Sequence, residues 1–340
     1  MADVHGYDPD PAALARALEF GAITRACGSL EEGVAPAATA FLASPVGTLA
    51  ELAGRAIAAS GSDCVVTDVG STKGNVLAAL RGTSLDRFIG GHPICGSERG
   101  GVEHARADLF EGATYFLTPT GDARPELFER LYGLVAAIGA MPVAIDADVH
   151  DRLMALVSHL PHVIASALIH QAAATAPQGR EALRSAGPSF VDLTRVAGAN
   201  PSLWADILVE NRHAVAAAID EQVARLEEVR DAVAAADRAW LASFMEGAAA
   251  GRARLREAPA DALAEPWRVV VAMPNRPGVI SEVATVLGHA HINIEDLSLR
   301  SGAGEEAGEL SVVVAGAPIA DRARSLVEGR GYTVRVEPVA

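Results

Sequence analysis

The chain has 340 residues, enough for about two or three domains that each have a core of their own. Hydrophobic residues make up 50% of it and charged residues 21%, which is the ordinary balance of a soluble globular protein. The formal net charge of −15 argues against a nucleic-acid or anionic-membrane partner, because either partner would need a basic face. A local basic pocket for a small anion is compatible with this charge.

The three cysteines, Cys27, Cys64 and Cys95, are scattered along the chain and show no CxxC spacing. This pattern indicates neither a disulfide framework nor a zinc site, so we expect no bound metal and a reduced, cytoplasmic location. The sequence shows no signal peptide, and no apolar run approaches the length that a bilayer-spanning helix needs.

Residues 1–146 alternate short apolar strands with amphipathic helices. The predicted strands include TAFLAS, CVVTDV, FIGGHP and TYFLTP, and the predicted helices include PAALARALEFGA, VGTLAELAGRAIAAS and RPELFERLYGLVAAIGA. Nearly continuous apolar strands of this kind are typical of a mostly parallel sheet that helices cover on both faces. We therefore expect an α/β domain over 1–146.

Residues 147–257 show helical patterns only, are rich in Ala and Leu, and are interrupted at SAGPSF. They predict an all-helical domain that buries a second face against another copy of the chain, and therefore a homodimer. An Ala/Pro-rich linker follows over 258–265. Residues 266–340 then have the order strand, helix, strand, strand, helix, strand, which predicts a small βαββαβ domain.

The chain begins with VHGYD, a predicted strand that ends at Asp8 and is followed by a Pro-started helix. In a dinucleotide-binding unit such an acid comes about twenty residues after a glycine-rich turn and binds the ribose. Asp8 favours NAD, because its carboxylate would repel the 2′-phosphate of NADP. We therefore expect roughly 25 to 35 upstream residues that supply the first strand, the turn and the first helix. Without them, we expect weak NAD binding.

The stretch DVGSTKGN, residues 68–75, takes a buried strand through a Gly-Ser turn into a helix. Ligands of open α/β sheets bind at the carboxyl ends of the strands, and this turn places Ser71 and nearby N–H groups there. The alternative is that Ser71 or Thr72 only caps the helix.

The stretch GGHPICGSERGG, residues 90–101, delivers His92 into a glycine-rich loop that also holds Glu98. Glycines allow the backbone to approach a ligand, and a histidine can act as an acid or a base near neutral pH. The pattern predicts a functional site around His92. The alternative is a structural histidine.

Two more stretches carry candidate residues. SHLPHVIA, residues 158–165, places His159 and His162 near one face of a Pro-kinked apolar helix. No third metal ligand has a matching spacing, so we expect one histidine to face a cleft. PSFVDLTRVAGANPSLW, residues 188–204, places Arg195 among apolar and small residues, where a buried guanidinium needs an anionic partner. That partner is either a protein carboxylate or a substrate carboxylate.

Together these stretches resemble the prephenate/arogenate dehydrogenase family of tyrosine biosynthesis over essentially the whole chain. The most specific match is GGHPICGSERGGVEHARADLFEGATYFLTP, and VSHLPH, FVDLTR and NPSLW follow in the family's order. The resemblance implies an incomplete Rossmann-type nucleotide-binding domain over 1–146, a helical dimerisation domain over 147–257 and an ACT domain over 266–340. It also implies NAD-dependent oxidative decarboxylation of prephenate to 4-hydroxyphenylpyruvate.

The resemblance implies a role for each candidate residue. His92 matches the catalytic histidine, which accepts the proton of the ring hydroxyl, and Ser71 matches a serine that orients this histidine and contacts the nicotinamide region. Cys95 stands where a small apolar residue is expected, and we interpret it as a packing residue. The implied substrate-binding residues are Arg195, His162, Glu98 and Trp204, the last possibly from across the dimer, and the cofactor-binding residues are Asp8, Ser44 and Ser71.

In the last domain, NRPGVISEVATVL resembles the ligand loop of ACT domains, and INIEDL follows at the usual distance. The resemblance implies that tyrosine is a feedback ligand. The alternative is a module that serves only dimerisation. The implied ligand-binding residues are Asn275, Pro277, Gly278 and Asn293.

Two other functions stay open. Arogenate dehydrogenase acts on the amino-acid analogue of the same ring, and the sequence does not separate it from prephenate dehydrogenase. A catalytically silent amino-acid sensor is the second alternative. The joint presence of His92, Ser71, Arg195 and His162 argues against such a sensor.

Overall fold

The structure is a computed structural model. It describes residues 3–96, 101–174, 186–257, 266–273, 296–300 and 308–339, together with 279, 282–283, 286–287, 290 and 292. Its contacts divide the chain into two compact units, Met1–Asp237 and Arg238–Ala340. Each unit is described by itself.

The first unit contains two sheets. Its larger sheet has five strands that lie side by side in chain order, and its smaller sheet is a parallel pair. The smaller sheet contains β1 (His5–Gly6) and β2 (Arg25–Ala26); the larger contains β3 (Thr39–Leu42), β4 (Val65–Asp68), β5 (Phe88–Pro93), β6 (Thr114–Pro119) and β7 (Met141–Ala144).

The larger sheet is mostly parallel, as the sequence predicts. Strands β3, β4 and β5 run parallel to one another, and so do β6 and β7, whereas β5 and β6 are antiparallel. The change of direction has a simple cause: the described part of the β5–β6 connection contains a 3₁₀ turn, Val102–His104, but no crossover helix. Parallel neighbours need a long crossover, whereas antiparallel neighbours do not.

Helices cover both faces of the larger sheet, as expected. The adjacent residues Val65 and Val66 point to opposite faces and belong to two separate hydrophobic clusters. The helix α3 packs on one face through Leu49 and Ala53, and α5 packs on the other. The helices of this region are α1 (Pro11–Glu19), α2 (Leu30–Val34), α3 (Leu49–Ala59), α4 (Gly74–Ala79) and α5 (Pro125–Ala137).

The rest of the first unit is helical, as predicted, but the predicted long segments are broken. A π-helical turn, Ala155–His159, separates α6 from α7 just before Pro161, whose missing N–H interrupts the regular helix. Asn211 ends one helix and precedes the next. The helices are α6 (Ala147–Met154), α7 (Leu160–Ala174), α8 (Pro188–Thr194), α9 (Pro201–Glu210) and α10 (Arg212–Ala234), with a 3₁₀ turn at Arg195–Gly198.

One helix among the described residues, the continuous run Ala147–Ala174, is long and apolar enough to cross a membrane by length and composition. The expectation that no run approaches this length was therefore wrong for this helix. The result is weak evidence for a membrane, because core helices of globular proteins meet the same criterion. This helix also carries buried polar side chains at His150, Asp151 and His159.

The second unit contains the helix α11 (Arg238–Glu257) and a four-stranded antiparallel sheet. The sheet order is β11, β8, β10, β9, and buried Val, Leu and Ala side chains join the sheet to α12. This arrangement agrees with the predicted βαββαβ domain. The elements are β8 (Pro266–Met273), β9 (Asp296–Arg300), β10 (Gly308–Ala315), α12 (Ala317–Glu328) and β11 (Thr333–Pro338). The predicted ligand residues Asn275, Pro277, Gly278 and Asn293 lie outside the described residues.

Among the described residues, β1 and β2 form a two-stranded sheet separate from the larger sheet.

Gly91 in β5 is a position where the sheet has no room for a side chain. A Cβ there would lie 2.5 Å from the carbonyl oxygen of Asp68 and 3.0 Å from Oγ1 of Thr67. We expect Gly91→Ala to lower the free energy of unfolding by about 1–3 kcal/mol, because the neighbouring strand must move. Urea unfolding measures this change.

The matched control is Gly133→Ala in α5, where an added Cβ meets nothing within 4 Å. It should raise the free energy of unfolding by about 0.5–1 kcal/mol, because Ala favours a helix over Gly. Equal urea midpoints for Gly91→Ala and the unmodified chain would contradict the tight packing of β4 against β5.

Candidate active site

The site lies where β4 and β5 reach the carboxyl edge of the larger sheet. Asp68 ends β4, and a buried ion pair joins its carboxylate to the ammonium of Lys73 in the following loop. Nζ of Lys73 also donates to the carbonyl oxygen of Gly91 at 2.6 Å. The loop after β4 is therefore attached to β5 immediately before His92.

Burial governs the electrostatics of this ion pair. It raises the pKa of the Asp68 carboxyl and lowers the pKa of the Lys73 ammonium, while the attraction between the two groups opposes both shifts. Oδ1 of Asp68 also accepts from the N–H of Gly70 at 2.8 Å. Its Oδ2 is buried without a hydrogen-bond partner among the described residues.

His92 belongs to a chain of three polar side chains. Its Nδ1 lies 2.9 Å from Nε2 of His150, and the two rings meet edge to face. Nδ1 of His150 lies 2.8 Å from Oδ1 of Asp151. His150 is fully buried and also meets the ring of Phe116 edge to face. These contacts hold the Nδ1 side of the His92 ring against His150.

The carboxylate of Asp151 holds the start of α4. Oδ1 accepts from the N–H of Lys73 at 2.9 Å, and Oδ2 accepts from the N–H of Gly74 at 2.7 Å. These N–H groups lie at the start of a helix, where they have no partner within the helix itself, and a negative charge is favourable there. Asp151 belongs to α6, so this contact joins the sheet region to the helical region.

Burial keeps the imidazoles of His92 and His159 neutral. It lowers the pKa of His92 to about 2, and His150, Lys73 and His159 add to the shift. Burial also lowers the pKa of His159 to about 4 against the opposing charge of Asp151. Both imidazoles are therefore uncharged near neutral pH.

Asn211 links His159 to the same network. Its side-chain amide donates to the carbonyl oxygen of Asp151 at 2.8 Å and lies 3.1 Å from Nδ1 of His159. Asn211 is itself buried and sits between α9 and α10. The break between α9 and α10 therefore places the side-chain amide of Asn211 in the site.

Trp204 contacts His159 in the π-helical turn and His162 in α7. Its ring stacks on His162 with 3.4 Å between ring centroids and meets His159 edge to face. Nδ1 of His162 donates to the carbonyl oxygen of Ser158 at 2.9 Å. These contacts lie within one chain, so Trp204 reaches its histidine partners without a second subunit.

The predicted cofactor residues follow the carboxyl ends of three strands. Asp8 follows β1 and is exposed, and it lines an open cavity of about 250 Å³ with Gly6 and Arg16. Ser44 follows β3 and accepts from the hydroxyl of Thr48 at 3.1 Å. Ser71 is half-buried in the loop after β4. The resemblance implies that the hydroxyl of Ser71 orients the ring of His92. One nitrogen at which it could do so, Nδ1, faces His150.

Three sequence expectations need comment. Arg195 is exposed in the single chain, in a 3₁₀ turn that packs against α7, so the single chain does not show the expected buried guanidinium. Glu98 lies outside the described residues. Burial raises the pKa of the Cys95 thiol, which agrees with a packing residue rather than a nucleophile.

Sequence reasoning missed four residues of the site: Lys73, His150, Asp151 and Asn211. Two signals were available. A lysine in the loop after a buried strand, in DVGSTKGN, is unusual for an apolar setting. An adjacent His and Asp, in DVHDR, lie in the first helix of the helical region. Neither sequence pattern shows which side chains Lys73, His150 and Asp151 contact. Among the described residues, no group of three or more His, Cys, Asp or Glu could hold a metal ion.

Family models match three parts of the chain. Residues 1–144 match the nucleotide-binding domain of prephenate dehydrogenase, residues 146–247 match its dimerization domain, and residues 267–323 match the ACT domain. The fold and the site thus define an oxidoreductase with a nucleotide-binding domain.

Relatives narrow this class. The prephenate dehydrogenase of Bacillus subtilis is 32% identical over 297 residues, which cover 86% of this chain and 80% of the relative. The cyclohexadienyl dehydrogenase of Zymomonas mobilis is 31% identical over 71% of this chain and 83% of its own length. The chain belongs to the prephenate dehydrogenase family.

Solved structures agree. The prephenate dehydrogenase from A. aeolicus, in complex with hydroxyphenyl propionate and NAD+, has a TM-score of 0.70 and 29% identity, covering 75% of this chain and 90% of that one. The arogenate dehydrogenase of Synechocystis has a TM-score of 0.67 and 26% identity, covering 74% and 91%.

The lowered pKa of His159 makes the stability of the protein depend on pH. Between its ordinary value of 6.5 and about 4, the unfolded chain binds a proton here that the folded chain does not. This contribution is fully present above pH 6.5 and is lost as the pH falls, by about 1.4 kcal/mol per pH unit. We expect the free energy of unfolding of the His159→Asn variant to fall less steeply with decreasing pH than that of the unmodified protein, by about 1.4 kcal/mol per pH unit.

Urea unfolding at pH 7, 6 and 5, followed by tryptophan fluorescence, measures the slope. His170→Asn, a change at an exposed position of α7, is the control and should leave the slope unchanged. If His159→Asn also leaves the slope unchanged, His159 is not held neutral by the fold.

Proposed function

We propose that the protein catalyses the NAD-dependent oxidative decarboxylation of prephenate to 4-hydroxyphenylpyruvate, a step of tyrosine biosynthesis. One observation carries the proposal: a neutral His92, with its pKa lowered to about 2, lies at the carboxyl edge of a sheet that matches a nucleotide-binding domain. Ligands of open α/β sheets bind at this edge. A neutral imidazole there can accept the proton of a substrate hydroxyl.

NAD is the proposed cofactor, and its bound form accepts a hydride. The fit rests on Asp8, whose carboxylate follows β1 beside an open cavity of about 250 Å³. The Oδ1 of Asp8 accepts from the N–H of Asp10 at 2.8 Å. A carboxylate has further acceptor capacity for the hydroxyls of a ribose. The A. aeolicus relative, whose structure contains NAD+, supports the choice.

The residues of the site divide the remaining work. His92 would accept the proton of the ring hydroxyl as hydride leaves the hydroxyl-bearing carbon and the ring carboxylate departs as carbon dioxide. The proton would then return to the oxygen of the newly aromatic ring. The product gains aromaticity, so the protein needs mainly to position the reactants. We assign a substrate carboxylate to Arg195. We place His162 in the pocket, Glu98 at its mouth and Trp204 near the site. Ser71 would lie between the substrate and the nicotinamide.

Arogenate is the alternative substrate, because solved relatives include an arogenate dehydrogenase. Prephenate is favoured because the B. subtilis relative, which covers more of the chain at higher identity, is a prephenate dehydrogenase.

A homodimer is the proposed assembly. Residues 146–247 match a dimerization domain, and several large apolar side chains of this region are exposed in the single chain. Leu156, Val157, Leu193 and Val209 are each more than half exposed. Exposed apolar surface of this extent indicates a protein interface.

We also propose that the ACT domain binds an amino acid, with tyrosine as the feedback ligand, because residues 267–323 match that domain. The residues that would bind it are those expected from the sequence. The free Cys27, Cys64 and Cys95 are in keeping with a reducing cytoplasm.

Turnover of the 340-residue chain tests the reaction. With NAD at millimolar concentration, we expect NADH to form with prephenate, more slowly with arogenate, and less when tyrosine is added. His92→Asn should lower kcat by about 10² to 10⁴ while leaving substrate binding within about tenfold. Faster turnover of arogenate would reassign the substrate, and near-normal turnover by His92→Asn would remove His92 from its role.

Arg195→Gln should mainly raise the KM for prephenate. Loss of a charge-assisted contact costs about 2 kcal/mol or more, which corresponds to roughly thirtyfold in KM. Arg225→Gln in α10, where Arg225 pairs with Glu221 on the surface, is the control and should leave KM unchanged. If Arg195→Gln changes only the melting temperature, Arg195 is a structural residue.

A further inference from the structure

The chain from His92 through His150 to Asp151 determines where the proton of each ring lies. Oδ1 of Asp151 lies 2.8 Å from Nδ1 of His150, and a carboxylate oxygen only accepts hydrogen bonds. The same carboxylate also accepts from the N–H groups of Lys73 and Gly74, at 2.9 and 2.7 Å. Nδ1 of His150 therefore carries the proton.

The proton on Nδ1 leaves Nε2 of His150 as an acceptor. Nδ1 of His92 lies 2.9 Å from that atom and must be the donor. Its own Nε2 then has a free lone pair. The reverse arrangement would place the lone pair of His150 Nδ1 against the carboxylate of Asp151, two acceptors at 2.8 Å.

We propose that His150 and Asp151 are positioning residues, which hold the proton of His92 on Nδ1 and so keep Nε2 ready to accept a proton from the substrate. The inference rests on the proposed role of His92 in the reaction. An imidazole in water exchanges its proton between both nitrogens. The inference adds to the proposed function the contacts that select one of these two tautomers of His92.

The surroundings make this chain rigid. His150 is fully buried, and the ring of Phe116 meets it edge to face with 5.5 Å between centroids. Asp151 cannot rotate without leaving the N–H groups of Lys73 and Gly74, at the start of α4, unpaired. Its own carbonyl accepts from Asn211 at 2.8 Å. A rigid, hydrogen-bonded support of this kind is what keeps a catalytic group in its productive orientation.

The test combines nitrogen NMR of the full chain, labelled with ¹⁵N-histidine, with kinetics. Spectra distinguish a protonated ring nitrogen from an unprotonated one. In the unmodified protein, we expect His92 to carry its proton on Nδ1. His150→Phe keeps the ring volume and the contacts of Asp151 with α4 but removes the acceptor, so His92 should shift toward the Nε2–H form.

Kinetics should follow the tautomer. His150→Phe is expected to lower kcat by about 10² or more with KM for prephenate within about threefold. His150→Gln, whose amide oxygen can accept from Nδ1 of His92, should restore much of the Nδ1–H form and of kcat. His170→Phe, the same change at an exposed position, should alter neither.

The outcomes separate this inference from the proposed function. A proton on Nε2 of His92 in the unmodified protein, or a doubly protonated His150, overturns the inference whatever the activity. Equal kcat for the unmodified protein and His150→Phe also overturns it. If the tautomer of His92 shifts as expected but no variant or parent oxidises prephenate, the positioning of His92 stands and the proposed function falls.

Discussion

The carboxylate of Asp151 is the contact on which the site depends. It accepts from the backbone at the start of α4 and from His150, and it therefore connects the sheet, the helical region and His92 at one point. Sheet and helices contribute their residues from distant parts of the sequence. Without this carboxylate, the N–H groups of Lys73 and Gly74 and Nδ1 of His150, the residue that contacts His92, would lose their shared acceptor.

Burial sets the chemistry of His92, and substrate would reverse part of its effect. The free chain holds the pKa of His92 at about 2, so the ring is neutral and accepts hydrogen bonds. Such a low pKa also makes it a weak base. A bound substrate with two carboxylates would bring negative charge near the ring, and opposite charge favours the protonated form. The imidazole would therefore become more basic when its substrate is present.

Much of the fold follows from local sequence patterns. The apolar stretches around β3 to β6 and the Pro-started helices α1 and α5 are visible in the sequence, because their periodicity and caps are local. The candidate site is only partly visible. The glycines around His92 mark it in the sequence as a candidate. The roles of Lys73, His150 and Asp151 depend on contacts between residues far apart in the chain: 78 positions separate Lys73 from Asp151. The exposure of Arg195 in the single chain was not predicted, because apolar neighbours in sequence need not be neighbours in space.

The central claim is that the fold keeps His92 neutral at the edge of the nucleotide-binding sheet. The most direct measurement is an NMR titration of His92 in the full chain between pH 8 and pH 5, without substrate. We predict that its ring nitrogens stay in the neutral form throughout this range, because its pKa is lowered to about 2. A titration midpoint near the ordinary value of 6.5 would contradict the account.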